Sequence, residues 1–291
     1  MDGLIDIADL PGGRLAALAA RADFAVLPVG AVEWHGPHLP LGTDLRLATG
    51  FTAELDGAGW TVAMFPAVPY TACPGQTRHW PGTVWVRPET TVNMLGDVLT
   101  GIVRAGFRRV LVVNAHDANM STVRAAMEWA SGEVQASFLL CNWFQLLDRA
   151  ETDELFGADV VSRGHGGAYE TAGLLGVGGT VDLDAAADLP PRPPLDTPHP
   201  HALVESRPRP FDGWSGHVSR VTDTAAARIR TAAGRRLREL IGAWLASPPP
   251  DPPFRPDPPS GHDQPFRPDQ PSRHDQPSRH DQPSRPSEDR P

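Results

Sequence analysis

The run Arg109-Val110-Leu111-Val112-Val113-Asn114 is apolar at four successive positions, so a strand formed there has no polar face to give to water. Such a strand belongs inside a parallel sheet covered on both sides by helices. Phe24-Ala25-Val26-Leu27-Pro28-Val29 reads as a second buried strand, ending at Gly30. Trp60–Val68 holds a third, broken by Pro66 and Pro69, and Val134–Cys141 a fourth. Helical patterns fall between them, over Leu45–Leu55, Thr91–Ala105 and Ser121–Ser131. A last helix, capped by Thr222 or Thr224, runs to about Leu245 with Ile229, Leu237, Leu240, Ile241 and Trp244 on its apolar stripe. This alternation predicts an α/β fold, with helical layers around a mainly parallel central sheet. A proline cluster, Leu189–Pro210, reads as a surface loop or a subunit arm.

The pattern stops near residue 246. Residues 250–285 read as six hexapeptides in one frame, from PDPPFR to HDQPSR, each with Asp second and Pro fourth. The only large apolar side chains there are Phe254 and Phe266, too few to offset the entropy of ordering. The expected organisation is one globular domain, 1–246, and a disordered, partly polyproline tail, 247–291. The tail histidines, His262, His274 and His280, are read as solvated.

Composition removes several function classes. All 26 basic residues are arginine, which excludes Schiff-base and P-loop lysine chemistry. A net charge of −9 argues against binding a phosphate backbone, so no nucleic-acid partner is expected. Two cysteines, Cys73 and Cys141, are too few for a disulfide scaffold or a cysteine-based zinc site. No apolar run approaches the ~20 residues of a membrane span. The acidic start, with Asp2, Asp6 and Asp9, is unlike a signal peptide, and a cytoplasmic location without membrane contact is expected.

The remaining histidines group at strand ends. His35 and His38 lie in Gly30-Ala-Val-Glu33-Trp34-His35-Gly-Pro-His38-Leu-Pro-Leu-Gly-Thr-Asp44, His116 follows the best strand in Asn114-Ala-His116-Asp117-Ala118-Asn119, and His165 sits in Gly164-His165-Gly-Gly-Ala-Tyr-Glu170-Thr171. Ligands collect at the carboxyl ends of strands in open α/β sheets. Glu33 and His35, at i and i+2 of an extended segment, face one side, and the Gly-Pro and Leu-Pro-Leu-Gly steps turn the chain so that Asp44 can join them. Carboxylates and imidazoles together form a donor set for divalent metals, and a carboxylate can bridge two ions. His116 and Glu170 are candidates for further ligands from other strand ends.

These three clusters resemble the creatininase family of metal-dependent amidohydrolases across about residues 20–245, and Pro81-Gly82-Thr83 and Gly216–Ala226 resemble lesser family elements. The resemblance implies a three-layer α/β/α fold, homo-oligomeric assembly and two divalent metal ions. It places Glu33 and His116 on one ion, His35 on the other and Asp44 between them. Creatinine-hydrolysing members carry a ligand glutamate where this chain has Ala118, whereas members with Gly-Gly in the second motif, which resemble peptide-processing and formamide-hydrolysing enzymes, use the glutamate of the third motif, here Glu170. The second branch is therefore the closer match. Zinc, manganese and iron all suit an N/O donor set.

The implied reaction is hydrolysis of an amide C–N bond in a cyclic amide, a formamide or a peptide end. A metal-bound bridging hydroxide attacks a carbonyl polarised by the ions. His165 matches the histidine that acts as acid–base in creatinine-hydrolysing members, a role suited to imidazole near neutral pH. His38, between two prolines, is read as orienting Glu33 or Asp44. Trp34, Trp80 and Trp214 are candidate pocket walls, with a core position the alternative for the indoles, and His79 is a candidate substrate contact. Asp117 is either a metal or substrate contact or the cap of the following helix. The partner implied is a small-molecule or short-peptide amide. The competing reading is a catalytically inactive binding or scaffold protein on the same fold, suggested by the substitutions at Trp34 and Asp117-Ala118.

Overall fold

A computed structural model describes residues 3–75, 77–160, 162–189 and 212–248. The chain divides into Met1–Pro253 and Phe254–Pro291. The second unit and residues 190–210 of the proline cluster lie outside the described residues, as do His199, His201 and the tail histidines.

Five parallel strands form one sheet: β1 (Gly3–Asp6), β2 (Phe24–Val29), β3 (Thr61–Met64), β4 (Arg109–Asn114) and β5 (Ser137–Asn142), in the order β1-β3-β2-β4-β5. β3 stops before Pro66, which has no N–H to extend a ladder. Among the described residues seven α-helices accompany them: α1 (Leu15–Arg21), α2 (Thr43–Ala53), α3 (Pro88–Arg104), α4 (Asn119–Glu133), α5 (Arg149–Phe156), α6 (Ala168–Gly176) and α7 (Asp223–Leu245). The fold is α/β with helices on both faces of the sheet.

Side-chain alternation along the strands builds two cores. Phe24, Val26, Leu111, Val113 and Cys141 pack with α2, α6 and α7, while Ala25, Leu27, Val29, Val110 and Val112 pack with α1, α3 and α4. The strand order explains the sorting. The chain leaves β2 towards β3 on one side but leaves β4 towards β5 on the other, and right-handed crossovers then send α2 and α4 to opposite faces. Between β2 and β4 the carboxyl ends therefore open into a crevice, the usual ligand position of such sheets. Register holds its rim level, since Val29 pairs with Asn114 and Asn114 with Asn142.

Aromatic stacking fixes the face carrying α2 and α6. The Trp143 ring lies between Phe51 of α2, at 5.1 Å, and Tyr169 of α6, at 4.9 Å, and both pairs are near-parallel. Gly173 lets α6 approach, since a Cβ there would meet the Trp143 ring at 2.5 Å. Thr222 caps α7, its hydroxyl accepting from Ala225 N–H at 3.1 Å. Leu240 does not join the buried stripe of α7: it is 48% exposed, and Ala233, Leu237 and Ile241 carry the contact instead.

β1, α1, α5 and α6 were not expected. α5 has a readable start in its Asp148–Glu151 capping box, whereas α6, AYETAGLLG, carries two glycines that mask its period. Among the described residues no helix is long and apolar enough to cross a membrane.

Candidate metal centre

The loop leaving β2 carries Glu33 and His35 back across the sheet end, and α2 begins with Thr43 and Asp44 directly behind it. Gly30 makes this return possible, because a Cβ there would lie 2.5 Å from the backbone nitrogen of Leu45. Asp44 stands in the first turn of α2, where the helix dipole favours a carboxylate.

Asp44 is the centre of the cluster. Its Oδ1 lies 3.1 Å from His35 Nε2 and its Oδ2 lies 3.0 Å from His116 Nδ1. Glu33 Oε2 is 3.2 Å from His116 Nδ1, and Glu170 Oε1, in the first turn of α6, is 3.5 Å from His35 Nε2. The structure thus brings Glu33, His35, Asp44, His116 and Glu170 together from four separate passages of chain. Glu33, His35 and Asp44 are each at most 1% exposed.

Backbone carbonyls set both imidazoles. His35 Nδ1–H donates to Glu33 O at 2.9 Å, and His116 Nε2–H donates to Ala72 O at 3.1 Å, so the opposite nitrogens face the carboxylates. Asn114 holds the backbone of His116 from both sides: its Nδ2 donates to His116 O at 2.9 Å, and its Oδ1 accepts from His116 N–H at 3.1 Å. Gly166 N–H donates to Glu170 Oε2 at 2.7 Å.

Charge is concentrated here. Burial alone disfavours protonated His35 and His116, yet the adjacent carboxylates outweigh it and raise both well above their ordinary 6.5. Burial likewise disfavours the carboxylates, but the imidazoles hold Asp44 and Glu170 below the usual range. Glu33 Oε2, His35 Nε2 and both Asp44 oxygens are buried without an aligned hydrogen bond, although each stands 3.0–3.2 Å from an oppositely charged partner in the cluster. Buried donor atoms that converge in this way fit a cation site, and three groupings stand out among the described residues, His35–Asp44–Glu170, Glu33–Cys73–His116 and Glu33–His35–His165.

His165 lies beside the cluster, its ring 4.1 Å from that of His35. Its Nε2–H donates to Trp34 O at 2.5 Å, which turns Nδ1 towards Glu33 Oε2 at 3.9 Å. Burial, reinforced by His35, lowers its pKa, so the ring is neutral at neutral pH. The ring is 20% exposed, in contact with both the cluster and the outside.

Other expected residues are placed differently. His38 does not bond Glu33 or Asp44: its Nε2–H donates to Gly166 O at 2.9 Å, with Thr171 Oγ1 at 3.2 Å. Its ring thus braces the segment that carries Glu170. Asp117 does not cap α4, whose N-cap is Ala118 without a side-chain bond; its carboxyl is raised by burial and by the neighbouring carboxylates. Trp34 and Trp80 stack at 5.3 Å and 6°, with Gly213 against the Trp34 indole nitrogen. The Trp214 indole N–H donates to Ala187 O at 3.3 Å, and its ring is 6.2 Å from that of His38. His79 is exposed, 5.9 Å from Trp80.

Two residues beside the centre carried no motif. The Thr77 hydroxyl donates to Glu33 Oε1, and Cys73 is buried next to Glu33 and His116. Both lie in the irregular segment after β3, where periodicity gives no signal.

A family profile described as Creatininase: Creatinine amidohydrolase matches residues 8–241. The creatinine amidohydrolase of Pseudomonas putida is 29% identical over 222 residues, covering 66% of this chain and 83% of that protein. The 3-dehydro-scyllo-inosose hydrolase of Thermotoga maritima is 29% identical over 202 residues, covering 68% of this chain and 64% of its own length. The mycofactocin precursor peptide peptidase of Mycobacterium tuberculosis is 32% identical over 131 residues, 42% of this chain and 51% of that one. A solved structure described as Creatininase Mn superposes with a TM-score of 0.71 at 23% identity, covering 84% of this chain and 99% of that chain.

Proposed function

The chain belongs to the creatininase family, and on that premise we propose that it is a binuclear metal-dependent amidohydrolase. The observation that carries this reading is the set of buried carboxylate and imidazole atoms that converge on Asp44. Glu33 and His116 would hold one divalent ion and His35 and Glu170 the other, with Asp44 the carboxylate shared between them. When bound, such ions lower the pKa of a water and polarise a scissile carbonyl.

The protein supplies the rest. Tautomers fixed by the carbonyls of Glu33 and Ala72 keep lone pairs of both ligand imidazoles aimed inward. His165, neutral and partly exposed, takes a proton at Nδ1 and returns it to the leaving nitrogen. Zinc, manganese and iron all suit these donors.

The substrate proposed is a formamide, a cyclic amide or a peptide end in preference to creatinine. Supporting this is the position of Glu170 against His35, with Ala118 two residues after His116. Trp34, Trp80, Trp214, His79 and Asp117 remain the candidate substrate contacts. Homo-oligomeric assembly is part of the proposal, and residues 247–291 are assigned no share in the chemistry.

Metal analysis of purified protein, with assays on creatinine, N-formyl compounds and short peptides, tests the reading. Two divalent ions per chain and cleavage of an N-formyl or peptide amide are expected. Metal binding without cleavage of any of these amides gives a binding protein instead. Deleting 248–291 leaves activity and oligomer size unchanged if the tail is separate.

A further inference from the structure

The segment between β3 and α3 reaches only one side of the centre. Thr71 Oγ1–H donates to Gly30 O at 2.8 Å, which ties the segment to the end of β2. Three successive carbonyls are then engaged: Thr71 O accepts from Val86 N–H at 3.1 Å, Ala72 O from His116 Nε2–H at 3.1 Å, and Cys73 O from Arg78 Nε–H at 2.8 Å. A little further on, Thr77 donates to Glu33. Backbone held on both sides of Cys73 fixes where its side chain can go.

Cys73 is 2% exposed and carries a free thiol. A ligand atom of each of Glu33, Cys73 and His116 lies within 4.8 Å of the other two. Glu33 itself is fully buried, and its Oε2 is one of the atoms without an aligned hydrogen bond. Around one tetrahedral ion, ligands bonded at about 2.3 Å for sulfur and about 2.1 Å for nitrogen stand about 3.6 Å apart, so this group closes on a cation with side-chain shifts of up to about an ångström. The weak contact of the Cys73 thiol with Thr71 O, at 4.0 Å, is little to give up. The corresponding three-residue group on the other side, His35–Asp44–Glu170, contains only nitrogen and oxygen.

We propose that Cys73 is a sulfur ligand to the cation held by Glu33 and His116, so that this half of the centre selects zinc over manganese while the His35–Glu170 half does not. The proposal rests on the binuclear reading above. As the sulfur–cation bond forms, the S–H bond breaks and its proton passes to solvent, because the thiolate is the ligand form. Soft thiolate donors favour zinc, and carboxylates with imidazole accept manganese equally well.

Metal-free full-length protein titrated with cobalt(II) and followed by absorption tests this. Uptake of two equivalents, one of them raising a sulfur-to-cobalt charge-transfer band in the near ultraviolet, is expected. The band should vanish in Cys73→Ser and persist in Cys141→Ala, which removes the other thiol. In competition against a chromophoric chelator, Cys73→Ser should lose about ten- to a hundredfold in zinc affinity at one of the two sites, the range seen for perturbed metal sites, with manganese affinity nearly unchanged. Two equivalents of cobalt without the band overturns the sulfur ligand and leaves the hydrolase reading standing. No cobalt uptake overturns both. If Cys73→Ser fails to fold, the wild-type band and its persistence in Cys141→Ala decide the matter.

Discussion

Asp44 Oδ2 lies 3.0 Å from His116 Nδ1, although Asp44 opens α2 on one face of the sheet and His116 leads into α4 on the other. One carboxylate therefore joins two passages of chain that the topology sends apart.

Asp44→Asn keeps the shape of this junction and removes its charge. Bound metal measured by plasma mass spectrometry should fall from two ions per chain to less than one. Hydrolysis should drop by roughly three orders of magnitude, about 4 kcal/mol of barrier. Retention of both metal and activity would sink the bridging role.

His165→Gln should behave differently. His165 stands against the cluster but is not among the proposed ligands, so metal content should match that of the wild type. The turnover number should fall by about 10²–10⁴-fold, the usual worth of a positioned acid–base. Loss of metal in this variant would make His165 a ligand instead.

Chelation and pH are linked through His35 and His116. Their pKa values in the metal-free fold are raised above 6.5. A raised histidine gives stability that is fully present below its unfolded pKa and is lost as pH climbs through the folded value. As pH rises above the ordinary histidine value, the chelated protein should therefore lose stability while the loaded protein, whose imidazoles carry no extra proton, does not. Melting curves with and without chelator should diverge as pH rises, and a constant gap would contradict the assignment.

Thr77 is fully buried, and its hydroxyl faces both Glu33 Oε1 and Pro74 O. Thr77→Val deletes the bond to Glu33 Oε1 and should weaken metal binding about ten- to a hundredfold. Thr77→Ser should restore it. Equal affinities for Thr77→Val and wild type would show that Glu33 needs no such partner.

Gly30→Ala probes the return of the chain. The added Cβ would sit 2.5 Å from Leu45 N and 2.8 Å from Asp44 C, backbone atoms that can move only if α2 moves. A cost of about 3 kcal/mol is expected, a fall of roughly 6–12 °C in Tm for a domain of this size. An unchanged Tm would mean that α2 has room to shift.

What the sequence discloses follows from how local each feature is. Glu33, His35 and Asp44 lie within twelve residues, in a loop with glycine and proline turns that leads into α2, so their convergence is readable. Both faces of β4 are apolar, which announces the parallel sheet. Glu170 is legible only through its resemblance to a motif, because α6 is glycine-broken and shows no period. Cys73 and Thr77 reach the centre through backbone contacts with β2 and His116, which no spacing rule encodes. His38 misleads because it is near Glu33 in sequence, while its bond partners come from the segment around Gly166. Asp117 misleads because the start of α4 is held instead by Asn114 and Asn119, whose side chains reach His116 O and Gly30 O.

The divergence of α2 and α4 also sets a timetable for the molecule as it is made. Glu33, His35 and Asp44 leave the ribosome together, but His116 arrives only after two more crossovers, and Glu170 later still, at the head of α6. A chain interrupted before α6 has the Glu33–His116 half and lacks a carboxylate of the other. Hydrolytic competence is therefore acquired late, when the long-range pairings have closed.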